Sequence, residues 1–251
     1  MPLYDKEREK IWTYKQFFFD KDGTLMKFDH YWVEVSRHAI NDILRQIDRE
    51  DIPPECLLAA LDVKDGISDT DGLLCKGTYE QIGWALNEVL REHGADVSEA
   101  DSIKMTLAAY DKNADTGKVE PVCENLREVL LNLKRRGRRL AVVTTDNASI
   151  TAKCLEKLGI ADVFDKVYTD NGQTPVKPDP WCAKDFLNRC GIAPQNALMV
   201  GDTMTDVRFA RNAGIAAIGV GEKPDGRERL VPYADAVLPD ISHLADFIAE
   251  A

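Results

Sequence analysis

The sequence predicts an α/β fold: a doubly wound parallel sheet interrupted by an inserted helical block. Three observations carry this. Short apolar runs alternate with helical patterns throughout the C-terminal half, the arrangement that builds a parallel sheet with helices on both faces. One further apolar run, Phe17-Phe18-Phe19, lies far upstream of the others. Between them, from His30 to about Asp115, the apolar spacing is helical and shows no convincing buried strand.

Phe17-Phe18-Phe19 is ended by Asp20 and Gly23, which marks a buried strand rather than a helix. In the inserted block Val33, Ile40, Ile43, Leu44 and Ile47 recur at three- and four-residue steps, and Gln81–His93 and Asp101–Tyr110 follow the same rhythm. The rhythm changes after Asn113-Ala114-Asp115-Thr116-Gly117. A helix over about 122–136 leads through Gly137 to a strand over 140–143. A helix over 148–158, a strand near 163–168, a helix over 180–190, a strand over 197–200, a helix over 205–213 and a strand over 215–220 follow. A last strand–helix pair starts at Ala236. The helical block is therefore best read as an insertion into an α/β domain.

The chain has 251 residues, 44% of them hydrophobic, enough for a core of this size. Its formal net charge is −11, and it offers no long Lys/Arg footprint for nucleic acid or an anionic membrane. The densest basic stretch, Lys134 to Arg139, falls at a predicted helix end, where cations complement the dipole. The six cysteines show no Cys-x-x-Cys or other metal spacing and read as free thiols in a reducing cytosol. Met1–Lys10 is charged and lacks a signal core, and no apolar run approaches the roughly 20 residues that span a bilayer. A cytoplasmic protein, monomeric or homodimeric, is the expectation.

Ligands of doubly wound sheets bind beyond the carboxyl ends of the strands, so the residues that follow each apolar run matter most. They are Asp20-Lys21-Asp22-Gly23-Thr24, then Thr144-Thr145-Asp146-Asn147, then Lys177 within Thr174–Pro180, then Gly201-Asp202-Thr203-Met204-Thr205-Asp206. Together they supply the carboxylates, hydroxyls and lysine that a phosphoryl-transfer site needs. On extended backbone, residues i and i+2 share a side. Asp20 and Asp22 are therefore expected to face one site while Lys21 points away. One carboxylate can attack phosphorus and the second can move protons. Phosphate monoesters are inert, with accelerations up to ~10²¹-fold, so several charge-neutralising groups must act together. A hard cation such as Mg²⁺ suits Asp20 and Asp202, and Thr144 and Lys177 suit the phosphoryl oxygens. Asp146 and Asn147 fit a helix cap as well as a catalytic role. His30 and Trp32 follow the first motif, where His30 can line a substrate entrance and Trp32 reads as hinge or core packing.

These four motifs, in this order, resemble those of the haloacid dehalogenase superfamily of aspartate-nucleophile phosphotransferases. The resemblance implies a Rossmann-like core of residues 1–29 and 119–251 with a helical cap, residues 30–118, between motifs one and two. It implies Asp20 as nucleophile and Asp22 as general acid/base. Phosphate would be held by Thr144, Thr145 and Lys177. Mg²⁺ would be held by the Asp20 and Asp202 side chains and the Asp22 carbonyl, with Asp206 behind them. Asp69–Thr78 is similar to a cap segment of the phosphoglycolate phosphatase-like branch, which makes Lys76, Gly77 and Thr78 candidates for substrate contact. The expected activity is hydrolysis of a small phosphorylated metabolite such as phosphoglycolate or a sugar phosphate. A sugar phosphomutase is the first alternative and a non-catalytic binding module the second. Asp22 argues against a dehalogenase, and the lack of membrane spans argues against a pump. The cap is expected to close over the core about hinges near Lys27–Asp29 and Asn113–Lys118.

Overall fold

A computed structural model describes residues 14–221 and 223–244. The expectations for Met1–Lys10 and for the last helix lie outside these residues. Contacts divide the chain into two compact units, one spanning Phe28–Val119 and one made of the described residues on either side of it.

In chain order the elements are β1 (Gln16–Phe19), α1 (Phe28–Gln46), α2 (Pro54–Ala59), β2 (Val63–Lys64), β3 (Ile67–Ser68), α3 (Leu73–Lys76), α4 (Tyr79–Glu92) and α5 (Glu99–Asn113). They continue as α6 (Leu126–Arg135), β4 (Arg139–Asn147), α7 (Ala148–Lys157), β5 (Lys166–Asp170), α8 (Trp181–Cys190), β6 (Ala197–Gly201), α9 (Met204–Ala213), β7 (Ala216–Val220), α10 (Pro224–Leu230) and β8 (Ala236–Leu238). Short 3₁₀ turns precede β5 and β6 and follow β8.

The six long-range strands form one parallel sheet, ordered β5-β4-β1-β6-β7-β8. β1 is central because its apolar run can be buried on both faces. Phe17 and Phe19 join Leu140, Val142, Leu198 and Val200 beneath Leu126, Val129, Leu130 and Leu133 of α6. Phe18 points the other way, with Ala141, Val143 and Met199, towards α8 and α9. There its ring meets Phe186 edge-on at 5.8 Å and Phe209 at 6.3 Å. Full burial of each such ring stabilises the sheet by about 2–3 kcal/mol. β4 and β6 flank β1 in register, Phe19 opposite Val142 and Val200. The carboxyl ends of three neighbouring strands therefore open on the same side, at the point where the strand order reverses.

The second unit is helical, as its spacing predicts. Tyr110 Oη donates to Ser36 Oγ (2.8 Å), which donates to the Trp32 carbonyl (2.7 Å), tying α5 to α1 inside its core. Its two ends meet where the Lys118 N–H donates to the His30 carbonyl (3.1 Å). Two details differ from expectation. A two-residue hairpin, β2–β3, turns through Asp65-Gly66, with Val63 and Ser68 buried. It is too short to leave a periodic signal. Helix α1 begins at Phe28, so two residues of the expected hinge Lys27–Asp29 are helical. No helix among the described residues is long and apolar enough to cross a membrane, and all six cysteines are free.

Candidate active site

Asp20 follows β1 directly, and its N–H donates to the Val200 carbonyl of β6 (2.9 Å), which fixes the residue at the carboxyl end of the sheet. Its side chain is almost wholly buried. Lys177 comes from the loop between β5 and α8, where its peptide bond to Pro178 is cis. The Lys177 ammonium, also buried, bridges Asp20 Oδ1 (2.6 Å) and Asp206 Oδ1 (2.7 Å). Asp206 lies in the first turn of α9, where acidic residues complement the dipole. Its Oδ2 accepts from the N–H (3.1 Å) and the hydroxyl (2.7 Å) of Thr203. Asp206 is thus fixed at both oxygens, and it in turn fixes Lys177.

Asp202 follows β6. Its Oδ1 accepts from Thr24 Oγ1 at 3.3 Å. Carboxylate oxygens of Asp20, Asp202 and Asp206 lie within 4.8 Å of one another. Two glycines allow this crowding. A Cβ on Gly23, whose φ is +71°, would stand 2.1 Å from Asp202 Oδ2. A Cβ on Gly201 would stand 2.3 Å from Asp206 Cγ. The backbone must come this close for the carboxylates to converge.

The electrostatics follow from burial. Burial raises the Asp20 carboxyl from its ordinary 3.8 to about 7, with the charges of Asp206 and Asp22 adding to it against the pull of Lys177. Burial also holds Asp202 well above its ordinary value, aided by the charges of Asp20 and Asp206. For Lys177, burial works to lower the pKa, and Asp20 and Asp206 more than offset it. Three crowded carboxylates with one ammonium leave surplus negative charge in a desolvated place. That surplus, on oxygen donors alone, fits a hard divalent cation such as Mg²⁺.

Thr144 is buried near the carboxyl end of β4, and its Oγ1 accepts from the Asp146 N–H (3.2 Å). Thr145 is exposed beside it. Asn147 caps α7, its Oδ1 accepting from the Ile150 N–H (2.9 Å). β4 runs on to Asn147 with a break in register after Val143, so this loop begins later than the apolar run suggests.

The alternation expected for Asp20, Lys21 and Asp22 does not hold. Strand β1 ends at Phe19, and the chain bends through the next residues. Lys21 therefore does not point away from the carboxylates. Its fully buried ammonium pairs with Asp22 Oδ1 (2.7 Å) and Asp146 Oδ2 (2.9 Å). Burial and the charge of Asp22 raise the Asp146 carboxyl to about 6, against the pull of Lys21. Sequence reasoning missed the involvement of Lys21 and left Asp146 open between a helix cap and a catalytic role. The available signal was a lysine between two aspartates beside an apolar strand, where an ammonium needs anionic partners.

The remaining candidates belong to the helical unit. His30 is exposed on α1. Lys76 ends α3 and pairs with Asp71. Gly77 closes that helix, and a Cβ there would press on Leu73. Thr78 caps α4 in a reciprocal box with Gln81. Gly77 and Thr78 thus have local structural duties.

Comparison with known proteins gives consistent relatives. Residues 14–214 match the family described as haloacid dehalogenase-like hydrolase. A Pyrophosphatase PpaX of Bacillus cereus is 26% identical over 233 residues, covering 92% of this chain and 94% of the relative. A phosphoglycolate phosphatase of Nitrosococcus oceani is 31% identical over 149 residues, covering 58% of this chain and 64% of the relative. Among solved structures, a predicted phosphoglycolate phosphatase from Haemophilus somnus superposes with a TM-score of 0.67 at 20% identity, covering 93% of this chain and 97% of that one. A putative β-phosphoglucomutase from Thermotoga maritima superposes with a TM-score of 0.68 at 18% identity, covering 94% and 99%. At these identities the structures speak to the fold alone.

Proposed function

The chain belongs to the haloacid dehalogenase-like hydrolases, and we propose that within that family it is a Mg²⁺-dependent phosphatase that works through an aspartyl-phosphate on Asp20. The observation that supports this most is the Lys177 ammonium, buried between Asp20 and Asp206 and beside Asp202. The reading is supported by a buried carboxylate, a fixed ammonium and two further carboxylates standing together near the ends of β1 and β6.

The residues then have separable tasks. A carboxylate oxygen of Asp20 attacks phosphorus while the bond to the leaving oxygen breaks. Asp22 gives that oxygen a proton, then takes one from the water that attacks the aspartyl-phosphate and releases phosphate. Lys177 and the Thr144 hydroxyl hold phosphoryl oxygens, and Thr145 is assigned to the same set. Lys177 also favours the ionised form of Asp20. The Asp20 and Asp202 side chains and the Asp22 carbonyl would hold Mg²⁺, which would neutralise charge at the phosphoryl group. Asp206 keeps Lys177 in place.

The substrate is a small phosphorylated metabolite. The names of the relatives put phosphoglycolate and pyrophosphate first among the compounds to test. Choice among them is assigned to the helical unit, with His30, Lys76, Gly77 and Thr78 as the positions to vary. The test is phosphate release from phosphoglycolate, pyrophosphate, sugar phosphates and nucleotides with and without Mg²⁺, using Asp20→Asn as control. Mg²⁺-dependent release that Asp20→Asn abolishes supports the reading. Release that survives Asp20→Asn or excess chelator refutes it.

A further inference from the structure

The reaction just described uses neither Lys21 nor Asp146, yet both stand at the site. Lys21 has 0% side-chain exposure, and burying an ammonium is strongly unfavourable before its partners are counted. An apolar side chain would fill the same volume without that cost. The ammonium reaches Asp22 Oδ1 at 2.7 Å and Asp146 Oδ2 at 2.9 Å. The chain of contacts continues, because the Asp146 N–H donates to Thr144 Oγ1 at 3.2 Å. Asp22, Lys21, Asp146 and Thr144 thus form one connected path. It joins the loop after β1 to the end of β4.

Past the end of β1 the backbone around Asp22 is held by a turn, in which the Gly23 N–H donates to the Met26 carbonyl (2.8 Å) and the Leu25 and Met26 N–H groups donate to the Lys21 carbonyl (2.9 and 3.1 Å). These bonds fix the main chain, and the Lys21 ammonium acts on the Asp22 carboxylate itself. A general acid/base must stay within hydrogen-bond reach of the oxygen it serves. A displacement of about 1 Å can cost on the order of 10²-fold in rate. Charge-assisted contacts are the strong, short kind that can prevent it.

We propose that Lys21 and Asp146 are positioning residues of the reaction: the Lys21 ammonium, anchored by Asp146, fixes the Asp22 carboxylate for its proton transfers and ties it to the end of β4 that carries Thr144. The proposal rests on the assignment of Asp22 as general acid/base, and its test separates the two.

The test compares kcat/KM for glycerol 2-phosphate, whose alcohol leaves only with a proton, and p-nitrophenyl phosphate, whose leaving group needs none. The variants are Asp22→Asn, Lys21→Met, Asp146→Asn and the double variant Lys21→Met/Asp22→Asn. A general acid contributes 10²–10⁴-fold, so Asp22→Asn is expected to lower the alkyl ester by about 10² or more, and far more than the aryl ester. If it lowers both equally, the assignment of Asp22 fails and the proposal with it. With that assignment upheld, Lys21→Met is expected to lower the alkyl ester about tenfold more than the aryl ester. In the Asp22→Asn background the same change should have an effect of less than about twofold, because residues acting as a unit are not additive. Equal losses on both esters, or the full loss repeated in the Asp22→Asn background, overturn the proposal. Thermal unfolding reports whether Lys21→Met folds. If it does not, Asp146→Asn, which keeps Lys21 and a side chain of the same shape, decides: a loss confined to the alkyl ester supports the proposal, and a uniform loss or none overturns it.

Discussion

Gly23 and Gly137 share a backbone conformation, with φ of +71° and +72°, but not their surroundings. A Cβ on Gly137 meets nothing within 4 Å, whereas one on Gly23 stands 2.1 Å from Asp202 Oδ2 and 2.5 Å from Cγ. Replacing each by alanine therefore separates backbone strain from the collision. Gly137→Ala places an L-residue in the left-handed region and should cost about 1–2 kcal/mol. Gly23→Ala incurs the same strain and must also move Asp202. Asp202 can relieve the contact by rotating, so the extra stability cost is about 1–2 kcal/mol, at the lower end for overpacking. The larger consequence falls on metal binding, because relief takes the carboxylate out of the donor set. Scanning calorimetry in chelator should show a fall in Tm of about 2–8 °C for Gly137→Ala and about 4–16 °C for Gly23→Ala, at roughly 2–4 °C per kcal/mol. A Mg²⁺ titration of activity should show an unchanged midpoint for Gly137→Ala and one raised about tenfold or more for Gly23→Ala. If the two variants lose the same stability and Gly23→Ala keeps the native Mg²⁺ midpoint, the carboxylates do not depend on the close approach of Gly23.

Asp20→Asn should inactivate the enzyme and yet stabilise the metal-free protein. The carboxyl pKa is raised by folding, from 3.8 to about 7, so its stability contribution is complete below 3.8 and is lost as pH rises through 7. Removing the ionisable group should recover at most about 4 kcal/mol at pH 8 and roughly 2 kcal/mol at pH 5. Calorimetry in chelator at both pH values checks this, and a gain at pH 5 exceeding that at pH 8 would contradict it. Asn147→Ala removes the side-chain cap of α7 and should lower stability by about 1 kcal/mol. Urea unfolding measures it, and an unchanged midpoint would show that the cap contributes nothing.

The sheet was legible because each strand is an apolar run closed by turn residues, and β1, β4, β6 and β7 fall where those runs are. The order of strands was not written in any one run. It depends on β1 being apolar at three successive positions, which lets it lie between β4 and β6 with helices on both faces. Helix α10 has no counterpart in the sequence reading: it is a seven-residue helix that opens on Pro224, a residue suited to a first helical turn, and it carries Gly226 inside it. The convergence of Asp20, Lys177, Asp202 and Asp206 followed from placing motifs at strand ends, which is a topological argument and robust. The roles around Lys21 were not legible, because the i, i+2 rule applies only while the backbone stays extended. β1 ends at Phe19, one residue before Asp20, and the bend that follows carries the Lys21 ammonium to Asp22. Asp146 was left between cap and chemistry. The cap is Asn147, and Asp146 instead reaches Lys21 across to the next strand's loop. Partners separated by more than a hundred residues leave no local pattern to read.

The aspartyl-phosphate on Asp20 can be captured covalently. The enzyme is mixed with a ³²P-labelled phosphate ester and Mg²⁺, quenched in acid within milliseconds, and digested for peptide mapping. A hydroxylamine-labile phosphate is expected on the peptide that contains Asp20, present during turnover and absent in Asp20→Asn. Label on a different residue, or turnover with no protein-bound phosphate at any time sampled, would contradict the assignment of Asp20 as nucleophile.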